Sequence, residues 1–337
     1  MNDPIKVGII GTGAIAQVSH LPAWKRNEDA EIVALCDINK NKVQFVAEKY
    51  GVAHVFHDPE ELLRLPELDA VDICTPTHTH MELAIAALSA DKHVLVEKPM
   101  ARNYQESERM VKEAERRGKH LMVAMNVRFR RDAHILQSFT AKGELGEIFY
   151  AKTGWLRRKE RVVPRSWAVE KEMAGGGVFM DLGIQMLDVG LWLMGNPSPQ
   201  SVKANIYNRV TQLPVEDSAA VFISLSNGAT LTVEVSWTLL SDKDFFYTNL
   251  FGTHGAALLN PLRIHKELHG NLVNVTPARS ETPANLYKKS YANEIEHFVC
   301  CLRGEATLIS SGAENLSRMR IVDAVYESAQ TGREVQL

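Results

Sequence analysis

Glu97-Lys98-Pro99 follows directly on the apolar run Val94–Val96. A lysine partly withdrawn from water at the carboxyl end of a buried strand can give or take a proton near neutral pH, whereas in open solvent it is an ordinary surface cation. A second group has helical spacing. Asp181, Gln185 and Asp188 lie at i, i+4 and i+7, which at about 100° per residue puts all three on one face. Phe179, Leu182, Met186, Val189 and Leu193 form the apolar stripe beside them and read as core. An amide has no proton to exchange at working pH, so Gln185 can orient a hydroxyl but cannot be a general base.

A redox partner is written nearer the N-terminus. Gly11-Thr12-Gly13-Ala14-Ile15-Ala16 fits GxGxxG/A with alanine in the third place, between a predicted strand and a predicted helix. Glycines there permit a tight turn and let a pyrophosphate approach a helix N-terminus. Asp37 closes the second strand, where a carboxylate accepts from ribose hydroxyls and repels a 2′-phosphate, and Ile38 and Asn39 add no cation before Lys40. NAD is therefore expected over NADP.

The elements that must position these residues follow from periodicity. Strands are predicted at Ile5–Ile10, Ile32–Cys36, Val71–Cys74, Val94–Val96 and Leu121–Ala124, with helices near Ala14–Lys25, Lys40–Tyr50, Met81–Ala90 and Tyr104–Arg117. This is the pattern of an α/β, doubly wound parallel sheet, a Rossmann domain over residues 1–125. Thr75-Pro76-Thr77-His78-Thr79-His80 and the lysine loop both leave carboxyl ends of its strands, the edge where ligands sit. After Phe129 the pattern changes. Helices near Ala133–Thr140, Val178–Met194, Asn293–Arg303 and Ala313–Thr331 frame runs at Glu147–Leu156, Val202–Tyr207, Ala219–Ser226, Ala229–Trp237 and Phe246–Phe251. Strands following one another, with Asn227-Gly228 as a hairpin signal, predict an α+β domain over 126–337 with a large, mostly antiparallel sheet for substrate binding and oligomerisation.

Along nearly its whole length the sequence resembles the Gfo/Idh/MocA oxidoreductases, on GTGAIA, CTPTHTH, the EKP at Glu97–Pro99, and Gly175-Gly176-Gly177 followed by Asp181, Gln185 and Asp188. The resemblance implies hydride transfer between nicotinamide and a sugar, polyol or derivative. It makes Lys98 the catalytic lysine and Asp181 a substrate-contacting acid, and it sets Thr75, Pro76 and His80 beside the nicotinamide. In the family pattern a histidine follows the aspartate by four residues; this chain has Gln185 there. That substitution keeps two other readings in view: a redox-neutral enzyme cleaving glycosides through a transient keto-sugar, and a sugar-sensing regulator without turnover. Retention of Lys98 and Asp181 weighs against the regulator.

Other residues carry alternatives. Asn126 and Arg128, just past the last Rossmann strand, contact cofactor or substrate, or make surface hydrogen bonds. Trp155 and Trp167 are a sugar-stacking wall or core aromatics. Arg157, Arg158, Lys159, Arg161 and Arg165 concentrate five cations in nine residues, which would suit an acidic sugar or a solvated loop. His78 and His80 without a third ligand do not make a metal site.

Composition bounds the rest. With 337 residues, 45% hydrophobic and 23% charged, the chain is globular and long enough for two domains. A net charge of −3 offers polyanions no attraction, so nucleic acid is not an expected partner. Cys36, Cys74, Cys300 and Cys301 form no CxxC pair and read as buried thiols, and the N-terminal apolar run is too short for a secretory signal. A cytoplasmic homodimer or homotetramer, without membrane association, is expected.

Overall fold

The computed structural model describes residues 3–159, 166–278 and 281–337. They divide into two compact units, residues 1–126 with 288–316, and residues 127–287 with 317–337.

The first unit is built on strands β1 (Ile5–Ile10), β2 (Ala30–Cys36), β3 (His54–Phe56), β4 (Ala70–Ile73), β5 (His93–Glu97) and β6 (Leu121–Ala124), parallel and in the order β3-β2-β1-β4-β5-β6. Its helices are α1 (Leu21–Arg26), α2 (Lys40–Tyr50), α3 (Pro59–Leu63), α4 (His80–Ser89) and α5 (Tyr104–Arg117). Val71, Val94, Val96, Leu121 and Val123 are fully or almost fully buried, as strands covered on both faces require. Local chemistry sets the helix ends. Asn39, Asp58 and Asn103 accept from backbone N–H groups at the starts of α2, α3 and α5, and Gly51 and Gly118 close α2 and α5 in the left-handed region. The strand order reverses between β1 and β4, so the loops after these strands open the crevice where a dinucleotide sits in such sheets.

The second unit contains α6 (Arg131–Ala141), α7 (Lys171–Ala174) and α8 (Ile184–Leu193). Its strands are β7 (Ile148–Arg158), β8 (Pro199–Tyr207), β9 (Ser218–Leu225), β10 (Thr230–Leu239), β11 (Phe245–Gly252), β12 (Gly255–Leu259), β13 (Arg263–Leu268), β14 (Asn271–Asn274) and β15 (Val335–Gln336). They form one sheet in the order β14-β13-β12-β11-β7-β10-β9-β8-β15. Every described pairing is antiparallel except β7 with β10. That pair departs from a pure meander because the chain between β7 and β10 runs through α7 and α8, and a helix-bearing crossover makes parallel neighbours possible. The β9–β10 hairpin turns at Asn227-Gly228, with Gly228 at φ +81°. Every residue of α8 is buried. The stretch Lys171–Leu193 is apolar enough to span a bilayer by length and composition, yet 94% of its most apolar window lies inside the protein.

Two long helices, α9 (Pro283–Leu302) and α10 (Gly312–Thr331), run across the division between units. The sequence places all of 126–337 in the second domain; residues 288–316 instead belong to the first unit. Tyr291 lies against His20 with ring centroids 5.7 Å apart, Phe298 meets Trp24 edge-on at 6.4 Å, and Ser310 Oγ donates to the Val123 carbonyl at 2.7 Å. Contacts made across more than 180 positions leave no mark in local composition.

Candidate active site

Gly11 and Gly13 are glycines for different reasons. Gly11 has φ +94°, and a Cβ there would lie 2.7 Å from the Cys74 carbonyl oxygen, so the fold itself excludes any other residue. At Gly13 nothing lies within 4 Å of the Cβ position. The protein alone would tolerate a side chain there, and its absence keeps the backbone N–H groups of Gly13, Ala14 and Ile15 open to approach. Those groups begin a π-helical turn, Ala16–His20, and have no preceding turn to donate to. This cradle fits a pyrophosphate.

Thr12 is fully buried and donates from both N and Oγ1 to Asp37 Oδ2, at 2.8 and 2.9 Å. Asn39 N donates to Asp37 Oδ1 at 2.9 Å, and Lys42 Nζ lies 2.8 Å from Oδ2. Burial works to raise the Asp37 pKa, but Lys42 and the amides of Asn39 and Thr12 outweigh it and hold the carboxyl below its usual range. Lys42 is the cation the sequence analysis missed: it lies beyond Lys40 in sequence, but the first turn of α2 brings it back. Three of these four donors meet Oδ2, so Oδ1, which accepts from Asn39 N alone among these contacts, can still take a ribose hydroxyl. Asp37→Ala is expected to shrink the preference for NAD over NADP by about tenfold or more, since it removes the repelling carboxylate and releases Lys42 for a 2′-phosphate. Titration of both oxidised cofactors reads this; an unchanged ratio would remove Asp37 from cofactor selection.

Lys98 follows β5, half-buried, with a cis peptide to Pro99, and its N–H donates to Glu97 Oε2 at 2.9 Å. Glu97 and His80 hold this loop. Glu97 has one oxygen on the Lys98 amide and the other 2.9 Å from His20 Nε2. His80 is 1% exposed, with Nδ1 2.9 Å from the Pro99 carbonyl and Nε2 2.8 Å from that of Thr75. Both carbonyls only accept, so the ring ties the two loops together when each nitrogen carries hydrogen, while burial works to push its pKa down. Thr79 Oγ1 donates to the Pro76 carbonyl at 2.8 Å and lies 2.7 Å from Thr75 Oγ1, which fixes the other loop. Asn126 is buried with its amide N–H on Ser290 Oγ at 3.0 Å, a brace to α9.

In the second unit the glycine run is explained by two residues that no local signal marks. A Cβ at Gly176 would lie 1.9 Å from the Tyr326 hydroxyl, and one at Gly177 would lie 2.2 Å from the Glu216 carbonyl oxygen. Buried Glu216 accepts from the N–H groups of Gly177 and Phe179, at 2.9 and 3.0 Å, and from the Tyr326 hydroxyl at 2.8 Å. Glu216 thus anchors the start of the segment that carries Asp181. That segment opens with a π-helical turn, Phe179–Gly183, before α8.

Such a turn shifts the angular register, and the single polar face expected from ideal spacing is divided. Asp181 receives the Trp237 indole N–H at 3.0 Å on Oδ2. Gln185 is 5% exposed, and its buried Oε1 has no hydrogen-bond partner among the described residues, which leaves an acceptor for a ligand hydroxyl. Asp188 turns into the core, where Arg128 grips both its oxygens and Arg318 Nε adds a third contact at 3.1 Å. Arg128, with a fully buried side chain, is therefore not a substrate contact.

The remaining candidates separate by exposure. Trp155 packs on Phe246 at 4.9 Å and is half-buried, whereas Trp167 is 37% exposed and has a face to offer. Arg157 is half-buried; Arg158 is tied to Asp244 and to the Asp242 carbonyl; Arg161 and Arg165 lie outside the described residues. His20, Asp72 and Cys74 gather ligand atoms within 4.8 Å of one another. His20 and Trp24 already donate to Asp72 Oδ2, both at 2.8 Å, so the arrangement is a hydrogen-bonded cluster.

Comparison with known proteins places this geometry. Residues 5–125 match an oxidoreductase family described as an NAD-binding Rossmann fold, and residues 140–337 match its C-terminal alpha/beta domain. A D-glucoside 3-dehydrogenase of Escherichia coli K12 is 32% identical, over 100% of this chain and 98% of its own. A D-apiose dehydrogenase of Paraburkholderia graminis is 27% identical, over 98% of this chain and 89% of its own. A crystal structure of an Agrobacterium radiobacter oxidoreductase in complex with NAD+, L-tartaric acid and magnesium is 25% identical with a TM-score of 0.86, covering 98% of each chain.

Proposed function

Because the chain belongs to the Gfo/Idh/MocA oxidoreductase family, we propose that it oxidises a secondary hydroxyl of a sugar glycoside or a closely related polyol. It is an NAD-dependent sugar or polyol oxidoreductase. The observation that carries the residue assignment is the braced lysine, Lys98, fixed through its own backbone by Glu97 in the unit that holds the dinucleotide cradle. Held at the Gly11–Ile15 cradle and Asp37, bound NAD would supply the hydride acceptor for the oxidised carbon. The neutral Lys98 amine accepts the hydroxyl proton, and in reduction the ammonium returns it. Trp237 fixes one carboxylate oxygen of Asp181, which sets the orientation in which Asp181 meets a substrate hydroxyl. Gln185 accepts from a hydroxyl through Oε1 and transfers no proton. Trp167 offers a stacking face to the sugar ring.

A panel of glycosides, free hexoses, inositols and uronates, followed by reduced-nicotinamide absorbance, tests the assignment. Net NADH formation with a glycoside or polyol is expected. Turnover to redox-neutral cleavage products, or tight NAD binding with no turnover across the panel, would overturn it.

An acidic substrate now rests on Arg157 and Lys159 alone among the described cations of that segment. Arg157→Ala is expected to raise KM for a uronate by about three- to tenfold and to lose its salt sensitivity, leaving KM for a neutral glycoside unchanged. Equal KM values for both substrates would return Arg157 to a surface role.

The reading includes self-association through the outer face of the large sheet. The aligned row Phe222-Thr232-Lys152-Asn249-Leu258 carries Phe222 at 48% and Leu258 at 38% exposure, beside the stacked pair Tyr150 and Phe251. Sedimentation of a dimer or tetramer supports it, and a monomer at micromolar concentration refutes it. Four free cysteines, with the Cys36 thiol pushed by burial up to about 12, suit a reducing cytoplasm. Fractionation of the source cells tests that placement.

A further inference from the structure

His20 lies at the end of the π-helical turn that follows the glycine loop, with its side chain wholly removed from water. Its Nδ1 is 2.8 Å from Asp72 Oδ2 on β4, and its Nε2 is 2.9 Å from Glu97 Oε1 on β5. Two carboxylate oxygens against two ring nitrogens are satisfied when both nitrogens carry hydrogen, which is the imidazolium. The remaining neighbours agree with a charged ring. Trp24 Nε1 donates to the same Asp72 oxygen at 2.8 Å, the Tyr291 ring of α9 stands 5.7 Å away, and Cys74 points its thiol at the other Asp72 oxygen, 3.5 Å off. Glu294 of α9 adds a third carboxyl, fully buried and with neither oxygen partnered by a described residue. Burial works to lower the His20 pKa, but Asp72 and then Cys74 hold it well above the ordinary value, and burial pushes the Glu294 carboxyl well up.

The cluster ties together three pieces of chain that leave the sheet at its carboxyl edge. His20 follows the dinucleotide loop, Asp72 precedes Cys74 and Thr75, and Glu97 turns its second oxygen to the Lys98 N–H at 2.9 Å. A buried ionic cluster is no stronger than apolar packing of the same size, so its use lies in fixing one arrangement.

We propose that His20 is a positioning residue: clamped as an imidazolium between Asp72 and Glu97, it fixes the carboxylate that fixes the Lys98 backbone, and so couples the cofactor loop to the proton-transferring lysine. This inference rests on Lys98 being that lysine, and two of its measurements do not depend on turnover.

The test uses the full chain with NADH bound. In 15N-histidine spectra of the unaltered protein, His20 is expected to show both ring nitrogens protonated at pH 8; a neutral ring would overturn the clamp. In Glu97→Gln the amide cannot accept from both His20 and Lys98 with one oxygen. Exchange of the Lys98 amide hydrogen is expected to quicken about tenfold or more, as its acceptor is lost. On a substrate found by the panel, kcat per NADH-binding site is expected to fall about tenfold or more, with NADH affinity and KM within about threefold, because orientation is lost while binding is kept. A merely structural cluster would lower the number of NADH-binding molecules and leave kcat per site intact, and that result, or unchanged Lys98 exchange, overturns the proposal. If no sugar is turned over by the unaltered protein, the functional reading fails while the ring charge and amide exchange still decide the clamp.

Discussion

Lys98→Met is expected to lower kcat by about a hundredfold or more while NADH affinity stays within about twofold, because methionine keeps the apolar stem and deletes only the group that moves the proton. Glu97 holds the lysine loop through the Lys98 backbone N–H and His80 lies against the Pro99 carbonyl, and methionine keeps both of these backbone groups. Loss of rate without loss of cofactor therefore reports chemistry at the amine. Gln185→Ala should cost less, about tenfold, since a buried acceptor orients a hydroxyl without taking its proton. Gln185→His supplies the complementary test. It inserts a group that titrates near neutral pH, so the rate profile should gain an additional ionisation that the unaltered protein lacks. Steady-state kinetics beside NADH fluorescence titration measure all three. A Lys98→Met variant retaining more than a tenth of the rate would place the base elsewhere.

What could be read in advance divides along the range of the interactions. The parallel sheet was legible because each strand is a short apolar run closed by its own turn, and the nucleotide loop because Gly11 and Gly13 flank Thr12 in one short motif. Both signals lie within a few consecutive residues, although the pairing they lead to, β1 with β4, spans 63 positions. The short strand His54–Phe56 and strands β12 to β15 past Gly252 escaped notice, being two to six residues long and largely half-buried or exposed. Within the site, Lys98 and Asp181 were visible as residue types at the ends of predicted elements. Their supports were not: Glu216, Tyr326, Trp237 and His20 make hydrogen bonds across 37 to 110 positions, and nothing in their own surroundings distinguishes them from core. The polar face at Asp181, Gln185 and Asp188 was misjudged for a local reason instead. Ideal helical geometry assumes an unbroken α-helix, and the π-helical turn at Phe179–Gly183 breaks it.

That break is what frees Asp188 for a structural task, and Arg128→Met is expected to cost about 3–5 kcal/mol of stability as a result. Arg128 bonds both oxygens of Asp188 and lies 5.8 Å over the Trp192 ring, so methionine would keep some packing while stranding a carboxylate that has lost its main partner. In the native protein burial works to raise the Asp188 pKa, but Arg128 first and Arg318 after it hold the carboxyl below its ordinary value. A carboxyl whose folded-state pKa is depressed stabilises the fold above its unfolded pKa, near 3.9, and loses that contribution only as pH falls through the folded value. Between pH 7 and 5 the native protein should therefore show little change from this group. In the variant, with Arg318 as the only remaining guanidinium, burial dominates and Asp188 takes up a proton on folding. Its stability should then rise as pH falls from 7 to 5, by up to about 1.4 kcal/mol per pH unit, so the gap to the native protein narrows on mild acidification. Urea unfolding followed by tryptophan fluorescence at both pH values measures the gap. A constant gap would mean that Arg318 alone keeps Asp188 ionised, and a loss below about 1 kcal/mol at pH 7 would mean that water reaches the carboxylate once Arg128 is gone.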